Sequence, residues 1–317
     1  MDQITDYGKT RMRLVENFEF PEHATPIADC SELIPMNVHN LNELNRVESE
    51  NIISAQKKYL RAPIENPKKW FQVVHLKNIH RAMFKEVWQW AGHYRKSITS
   101  IGIKPNLIPM QLSEFCHEVL SWLKFPVELT FIEMAARIHH RLVLIHPFEN
   151  GNGRFSRLVA DRFLLSFRCT YPLWPYHLNQ EGIVRKEYIE TLKSADQRDY
   201  TPLIELMKKL GASDPKLTEF FKSNFYRRYL KSEHGPALVK ALLNNGDNPN
   251  SETPSGHRLL QLAIKLDLNE IVKHLVNAGA EIDVRDRSGL TPLQVAAKHK
   301  NSILIDFLLS KNATSSV

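Results

Sequence analysis

Apolar residues recur at helical spacing through long stretches of this chain. Phe131-Ile-Glu-Met-Ala-Ala-Arg-Ile-His-His-Arg-Leu-Val-Leu-Ile145 places them three and four apart, the period that lays one stripe along a helix. Leu158-Val-Ala-Asp-Arg-Phe-Leu-Leu165 repeats that pattern. The residues between, 146–157, break the period and predict a loop joining two buried helices. Upstream, Leu41 to Leu60 reads as an amphipathic helix with solvated acids, and Lys216 to Lys231 reads as a further helix.

The loop carries the chemistry. It runs His146-Pro-Phe-Glu-Asn-Gly-Asn-Gly-Arg-Phe-Ser-Arg157. Gly151 and Gly153 permit positive φ and let the backbone approach a ligand. Successive amides there make a nest, and the helix starting near Gly153 aims its positive dipole end at the same point. Arg154 and Arg157 fall on neighbouring positions of the first helical turn, where forked guanidiniums can grip phosphate oxygens. Pro147 forces His146 out of helical geometry, and a histidine fixed beside a phosphate site can accept a proton from an attacking hydroxyl. A base, an anion cradle and two fixed positive charges suit transfer from a nucleotide triphosphate. The plain alternative is a helix-loop-helix turn with a capping histidine and solvated arginines. So many chemically apt residues within one loop argue against it.

The stretch resembles the signature of the Fic family, His-x-Phe-x-(Asp/Glu)-Gly-Asn-Gly-Arg-x-x-Arg, and every position matches except one. Ala91-Gly-His-Tyr-Arg95, then Ile98 to Pro109, look like that family's helix and flap hairpin before the motif. Tyr188 to Asp196 and Asp199 to Ile204 look like its closing helices. The wording around Asn150 is similar to the bacterial branch called mobile mystery protein B.

The resemblance implies an activity: transfer of AMP from ATP to a Ser, Thr or Tyr hydroxyl of a target protein. His146 would be the general base. Phe148 would plug the core beneath the loop. Amides around Gly151, Asn152 and Gly153, with the Asn152 side chain, would hold the α- and β-phosphates. Arg154 would grip the β-phosphate, and Arg157 would reach the γ-phosphate. The flap at Ser100, Ile101 and Gly102 would pin the target by strand addition, and Tyr188 and Asp196 fall where the family contacts adenosine.

The departure is Asn150, where active members carry Asp or Glu on Mg²⁺. Asn offers that metal only a neutral oxygen, and Glu149 lies one residue too early. Many members are also held off by a glutamate that pairs with the second motif arginine. The nearest match here is Glu50 in Arg46-Val-Glu-Ser-Glu50-Asn51, with Arg46 where Ser or Thr is expected. A plain amphipathic helix is the preferred reading there.

The C-terminus repeats itself with a 33-residue period: Gly256, Leu260 and Ala263 recur as Gly289, Leu293 and Ala296. Gly289-Leu-Thr-Pro-Leu-Gln-Val-Ala-Ala297 resembles the ankyrin repeat, and Thr291-Pro292 would open the first helix of its unit. Two units, 253–285 and 286–317, are clear, and 233–252 shows only a second helix and loop. So short a stack is near the lower limit of stability, so the first repeat should pack on the helix 216–231 or on the Fic core. The fold expected is therefore all-α: a Fic helical core with a small β-hairpin flap, then a short ankyrin solenoid. The divisions are an extension over 1–34, the Fic domain over 35–210, a connector over 211–232 and repeats over 233–317.

Composition fits a globular chain, 43% hydrophobic and 24% charged over 317 residues. The formal net charge is +7, yet from Glu233 onward nine basic residues balance nine acidic ones. The excess belongs to residues 1–232, where Lys208-Lys209 and Arg227-Arg228 are too short for a nucleic-acid footprint. No signal-peptide pattern opens the chain, and no apolar run approaches the roughly 18 residues of a membrane span. Cys30, Cys116 and Cys169 are scattered and odd in number, which suits free thiols in a reducing compartment. His139 and His140 lack metal-ligand spacing and read as helix residues packing against the loop. A cytoplasmic protein, or an effector secreted into a host cell, fits these features, and a homodimer is compatible with them. The competing functions are transfer of another phosphate-containing group, removal of AMP from a modified target, and an adaptor whose ankyrin units do the binding.

Overall fold

The computed structural model describes residues 32–35, 38, 40–62, 70–125, 127–175, 178, 182–222, 224–253 and 256–314. The expected N-terminal extension lies almost wholly outside them. The chain is all-α and divides into two compact units, Met1–Leu120 with Phe131–Ser213, and Ser121–Thr130 with Asp214–Val317.

The first unit opens with α1 (Leu41–Arg61), as the Leu41–Leu60 pattern predicts. Asn40 caps it, its side-chain oxygen accepting from the Glu43 amide at 3.0 Å. Next come α2 (Val73–Phe84), a 3-10 turn (Pro105–Leu107) and α3 (Ile108–Trp122). The two periodic segments flanking the loop become α4 (Phe131–Ile145) and α5 (Asn152–Ser166). Then follow α6 (Ile183–Asp196) and α7 (Thr201–Lys209). Helix α5 is central: α1, α2 and α4 all pack on it. Most of its residues are buried, Phe155, Ala160 and Leu164 among them. A fixed, largely buried α5 holds the glycine-rich end of the loop in one place.

The expected hairpin flap is absent. Among the described residues, 97–103 form bends with no strand, and the nearest pairing is an isolated antiparallel bridge between Tyr94 and Phe148. Side chains hold this segment in place of a ladder: Arg95 Nη1 donates to the Ser97 carbonyl at 2.7 Å, and Thr99 Oγ1 to the Ile101 carbonyl at 2.5 Å.

In the second unit, the helix expected over 216–231 is two, α8 (Leu217–Lys222) and α9 (Asn224–Leu230). Helices α10 (His234–Asn244), α11 (Leu259–Lys265), α12 (Asn269–Asn277), α13 (Pro292–Lys298) and α14 (Ser302–Ser310) follow. Helix α8 packs on α11 and α9 on α10, so the connector covers the first repeat, as so short a stack requires. Thr291 opens α13 with a reciprocal cap, accepting from the Gln294 amide while Gln294 accepts from its own. Neighbouring repeats are also clasped. The Asn250 side-chain oxygen accepts from the Glu281 amide at 2.8 Å, and one period later Asp283 accepts from Thr314 at the same distance.

Candidate active site

Helix α4 ends at Ile145, and His146 follows at φ 50. The residue before Pro147 does leave the helix, but for the left-handed region instead of an extended one. The His146 amide still bonds to the Leu142 carbonyl at 3.1 Å, so the ring stays tied to the helix end. Nδ1 lies 3.3 Å from the Val143 carbonyl, which only an N–H can donate to; the lone pair is therefore on Nε2. Burial, then the Arg95 charge, lowers the pKa of this histidine from 6.5 to about 4, so it stands neutral at neutral pH.

The rest of the loop is pinned from inside. Asn152 gives both ends of its amide to Phe148: Oδ1 accepts from the Phe148 amide at 2.9 Å, and Nδ2 donates to its carbonyl at 2.8 Å. The Asn152 side chain, which the resemblance implied as a phosphate ligand, is thus engaged as a loop clamp. Phe148 is fully buried, as a plug would be, and His80 of α2 stacks on it with ring centroids 3.7 Å apart. His80 Nδ1 accepts from the Gly92 amide at 3.0 Å, so Nε2 carries the proton that it donates to the Asn150 carbonyl, also at 3.0 Å. Burial pushes its pKa down to about 3, which agrees with that neutral tautomer.

Gly151, at φ 76, turns the chain into α5, and a Cβ there would lie 2.2 Å from the Phe84 ring. No other residue fits. The amides of Asn152, Gly153 and Arg154 then form the first turn of a 15-residue helix, where backbone N–H groups have no intrahelical acceptor and the dipole is positive.

Residues 70–164 match the Fic/DOC family model, and residues 229–316 match ankyrin repeats in three copies. Residues 70–164 are a Fic/DOC domain. Protein adenylyltransferase Fic of Aedes aegypti is 30% identical over 158 residues, 49% of this chain and 30% of that protein. Protein adenylyltransferase fic-1 of Caenorhabditis elegans is 34% identical over 121 residues, 38% and 23% respectively. The chain thus spans less than a third of these curated relatives. Among solved structures, BepC of Bartonella tribocorum, a VirB-translocated effector with bound AMPPNP, aligns with TM-score 0.44 and 18% identity, covering 56% of this chain and 90% of that one.

Around this Fic/DOC loop the two motif arginines diverge. Arg154 Nη1 bonds to Glu48 of α1 at 2.9 Å and its guanidinium lies over the Phe84 ring. Arg157 is buried between Trp174 and Tyr188. Beneath it Asp161 accepts from Trp174 Nε1 at 3.0 Å, and burial raises its pKa to about 8 against the pull of that bond and of Arg157. Tyr188 is buried with its hydroxyl 2.9 Å from His139 Nε2, and Asp196 meets His140 Nε2 at 2.8 Å. The adjacent histidines thus tie α6 to α4.

Glu50 does not reach Arg157; its carboxylate is exposed and bonds to Arg46 at 3.0 Å. Glu48, two residues earlier and on the buried face, is the acid that meets the motif. At the position expected to meet magnesium, the neutral side chain of Asn150 is turned to its own loop, and among the described residues no charged side chain replaces it. Asn150 Oδ1 accepts from the Gly151 amide at 2.6 Å, and Glu149 is engaged by Ser97 Oγ at 2.9 Å. Among the described residues no three His, Cys, Asp or Glu side chains gather into a metal site.

Sequence reasoning missed His80, Arg95 and Glu48 as parts of this site. Glu48 carried a signal: it lies four residues from Leu44 and from Ile52, both buried, so it had to be a carboxylate on an apolar face. It also accepts from Trp88 Nε1 at 2.7 Å. Glu48→Ala would strand that buried indole N–H and uncover Arg154, which is itself 23% exposed. The expected loss of stability is about 2–3 kcal/mol in urea unfolding; an unchanged midpoint would show that solvent already screens the pair.

Proposed function

We propose that the first unit transfers AMP from ATP to a hydroxyl of a target protein. The observation that carries this reading is the buried, neutral His146, its proton on Nδ1, at the head of the loop that leads into the first turn of α5. The acceptor hydroxyl loses its proton to Nε2 as its oxygen attacks the α-phosphorus. The bond between the α-phosphorus and the bridging oxygen breaks, and pyrophosphate leaves. The first-turn amides of α5 hold the phosphates against the helix dipole, and Arg154 adds charge from the side of α1. Gly102, against which His146 packs, places the flap where an acceptor segment would lie. The curated relatives named adenylyltransferase support this choice over transfer of other groups. The test incubates the purified chain with radiolabelled ATP, UTP, CTP and GTP and cell lysate. Label from ATP on a protein band supports it, and label from another donor alone overturns it.

The ankyrin unit would recruit the target, since repeats bind proteins through their stacked surfaces. Phe220 and Phe221 of α8 and Leu230 of α9 are buried within that unit, so a cut at 233 would expose them. A cleaner truncation removes 214–317. That protein is expected to keep nucleotide binding and self-labelling while labelling of the true target falls. Precipitation of the truncated chain would refute a purely recruiting role.

A further inference from the structure

Arg95 lies between α2 and the flap, and it is 3% exposed. A buried guanidinium usually meets a carboxylate. The bonds of Arg95 go to three backbone carbonyls: Nε donates to His146 at 2.6 Å, Nη1 to Ser97 at 2.7 Å, and Nη2 to Ile103. One planar fork thus joins the residue that bears the base to both ends of the flap. The backbone runs alongside, the Arg95 amide donating to the Pro147 carbonyl at 3.0 Å next to the Tyr94–Phe148 bridge. Gly102 closes the triangle: a Cβ there would stand 2.5 Å from His146 Cβ and 2.8 Å from Arg95 Nη2. The flap tip is therefore in van der Waals contact with the base and with the side chain that spans the flap's two ends.

We propose that Arg95 is a positioning residue that fixes flap and base as one unit, so that a polypeptide segment docked on the flap presents its hydroxyl to His146 Nε2. This rests on the transfer reading above. The task needs arginine: a lysine ammonium is a point charge and cannot span three carbonyls in a plane. The acceptor is placed through Arg95, while the phosphates are held by α5, so the two substrates should respond differently to its loss.

Arg95→Lys and Gly102→Ala in the full chain separate these effects. Arg95→Lys should speed hydrogen exchange of residues 97–103 and lower kcat toward the protein acceptor ~10²-fold, the scale of a 1 Å misplacement, with nucleotide affinity unchanged. Gly102→Ala leaves Arg95 in the chain but drives a Cβ against both His146 and Arg95 Nη2, pushing the flap off the base, and should reproduce the kcat loss, again with nucleotide affinity unchanged; it decides the matter if Arg95→Lys fails to fold. Unaltered flap exchange and full kcat in these variants overturn the proposal. So does nucleotide affinity that falls in step with kcat, which marks general loss of fold. Faster flap exchange in Arg95→Lys, in a protein whose wild type transfers nothing from ATP, supports the coupling and overturns the transfer reading alone.

Discussion

His146→Ala should lower transfer by about 10²–10⁴-fold, the usual contribution of a general base, and leave nucleotide affinity nearly intact. The first-turn amides proposed to hold the phosphates belong to α5, which begins at Asn152, six residues beyond this side chain. Asn152 and His80 keep that loop shaped when the imidazole is gone. Burial and Arg95 hold the histidine at about 4, so wild-type kcat/KM should stay flat with respect to this group from neutral pH down to about 5. An acid limb near pH 6.5 would place the base in open water instead, and retained activity in the variant would reduce His146 to a helix cap.

Acid should also unfold the first unit steeply. Burial lowers His80 to about 3, His139 to about 3 and His146 to about 4, from 6.5 in the unfolded chain. Each depressed value contributes stability that is present above 6.5 and is lost as pH falls toward the folded pKa. Asp161 works in the other direction: raised from 3.8 to about 8, its contribution is full below 3.8 and is lost as pH rises through about 8. At pH 5 the unfolded chain therefore holds three histidine protons that the native state refuses, and the native state holds one on Asp161. Two protons at roughly 1.4 kcal/mol per pH unit each give a slope of about 3 kcal/mol per unit. Stability from these groups should peak near pH 6.5. Urea unfolding at pH 5, 6.5 and 8 checks it, and an acid slope of one proton or less would show that these histidines are reached by water in the native state.

The helices around the motif were legible because period and punctuation agreed: α4 and α5 carry continuous apolar stripes, and Pro147 and Gly151 end one and begin the other. The repeats were legible because each unit solves the same packing problem 33 residues later. Side-chain contacts between segments far apart in sequence were not. Nothing local to Arg95 says that its acceptors are carbonyls at 97, 103 and 146, and nothing local to Asn152 says that Phe148 takes its amide. The flap was expected as a hairpin from the family resemblance alone, whereas here a guanidinium supplies the donors that a facing strand would have given. Tyr188 and Asp196 were picked out by resemblance, but their partners are His139 and His140, which in the sequence read as packing against the loop and which instead meet α6.

The left-handed backbone at His146 has a consequence for how such a gene decays. At φ 50 an alanine or a branched residue is strained by about 1–2 kcal/mol, while Asn and Asp tolerate the region far better. Both are also a single base change from a histidine codon. A lineage with no further use for the chemistry can drift to Asn or Asp there and keep the loop, the helices and the repeats. Its descendants would be folded, protein-binding and catalytically silent, distinguishable from working copies at this one position.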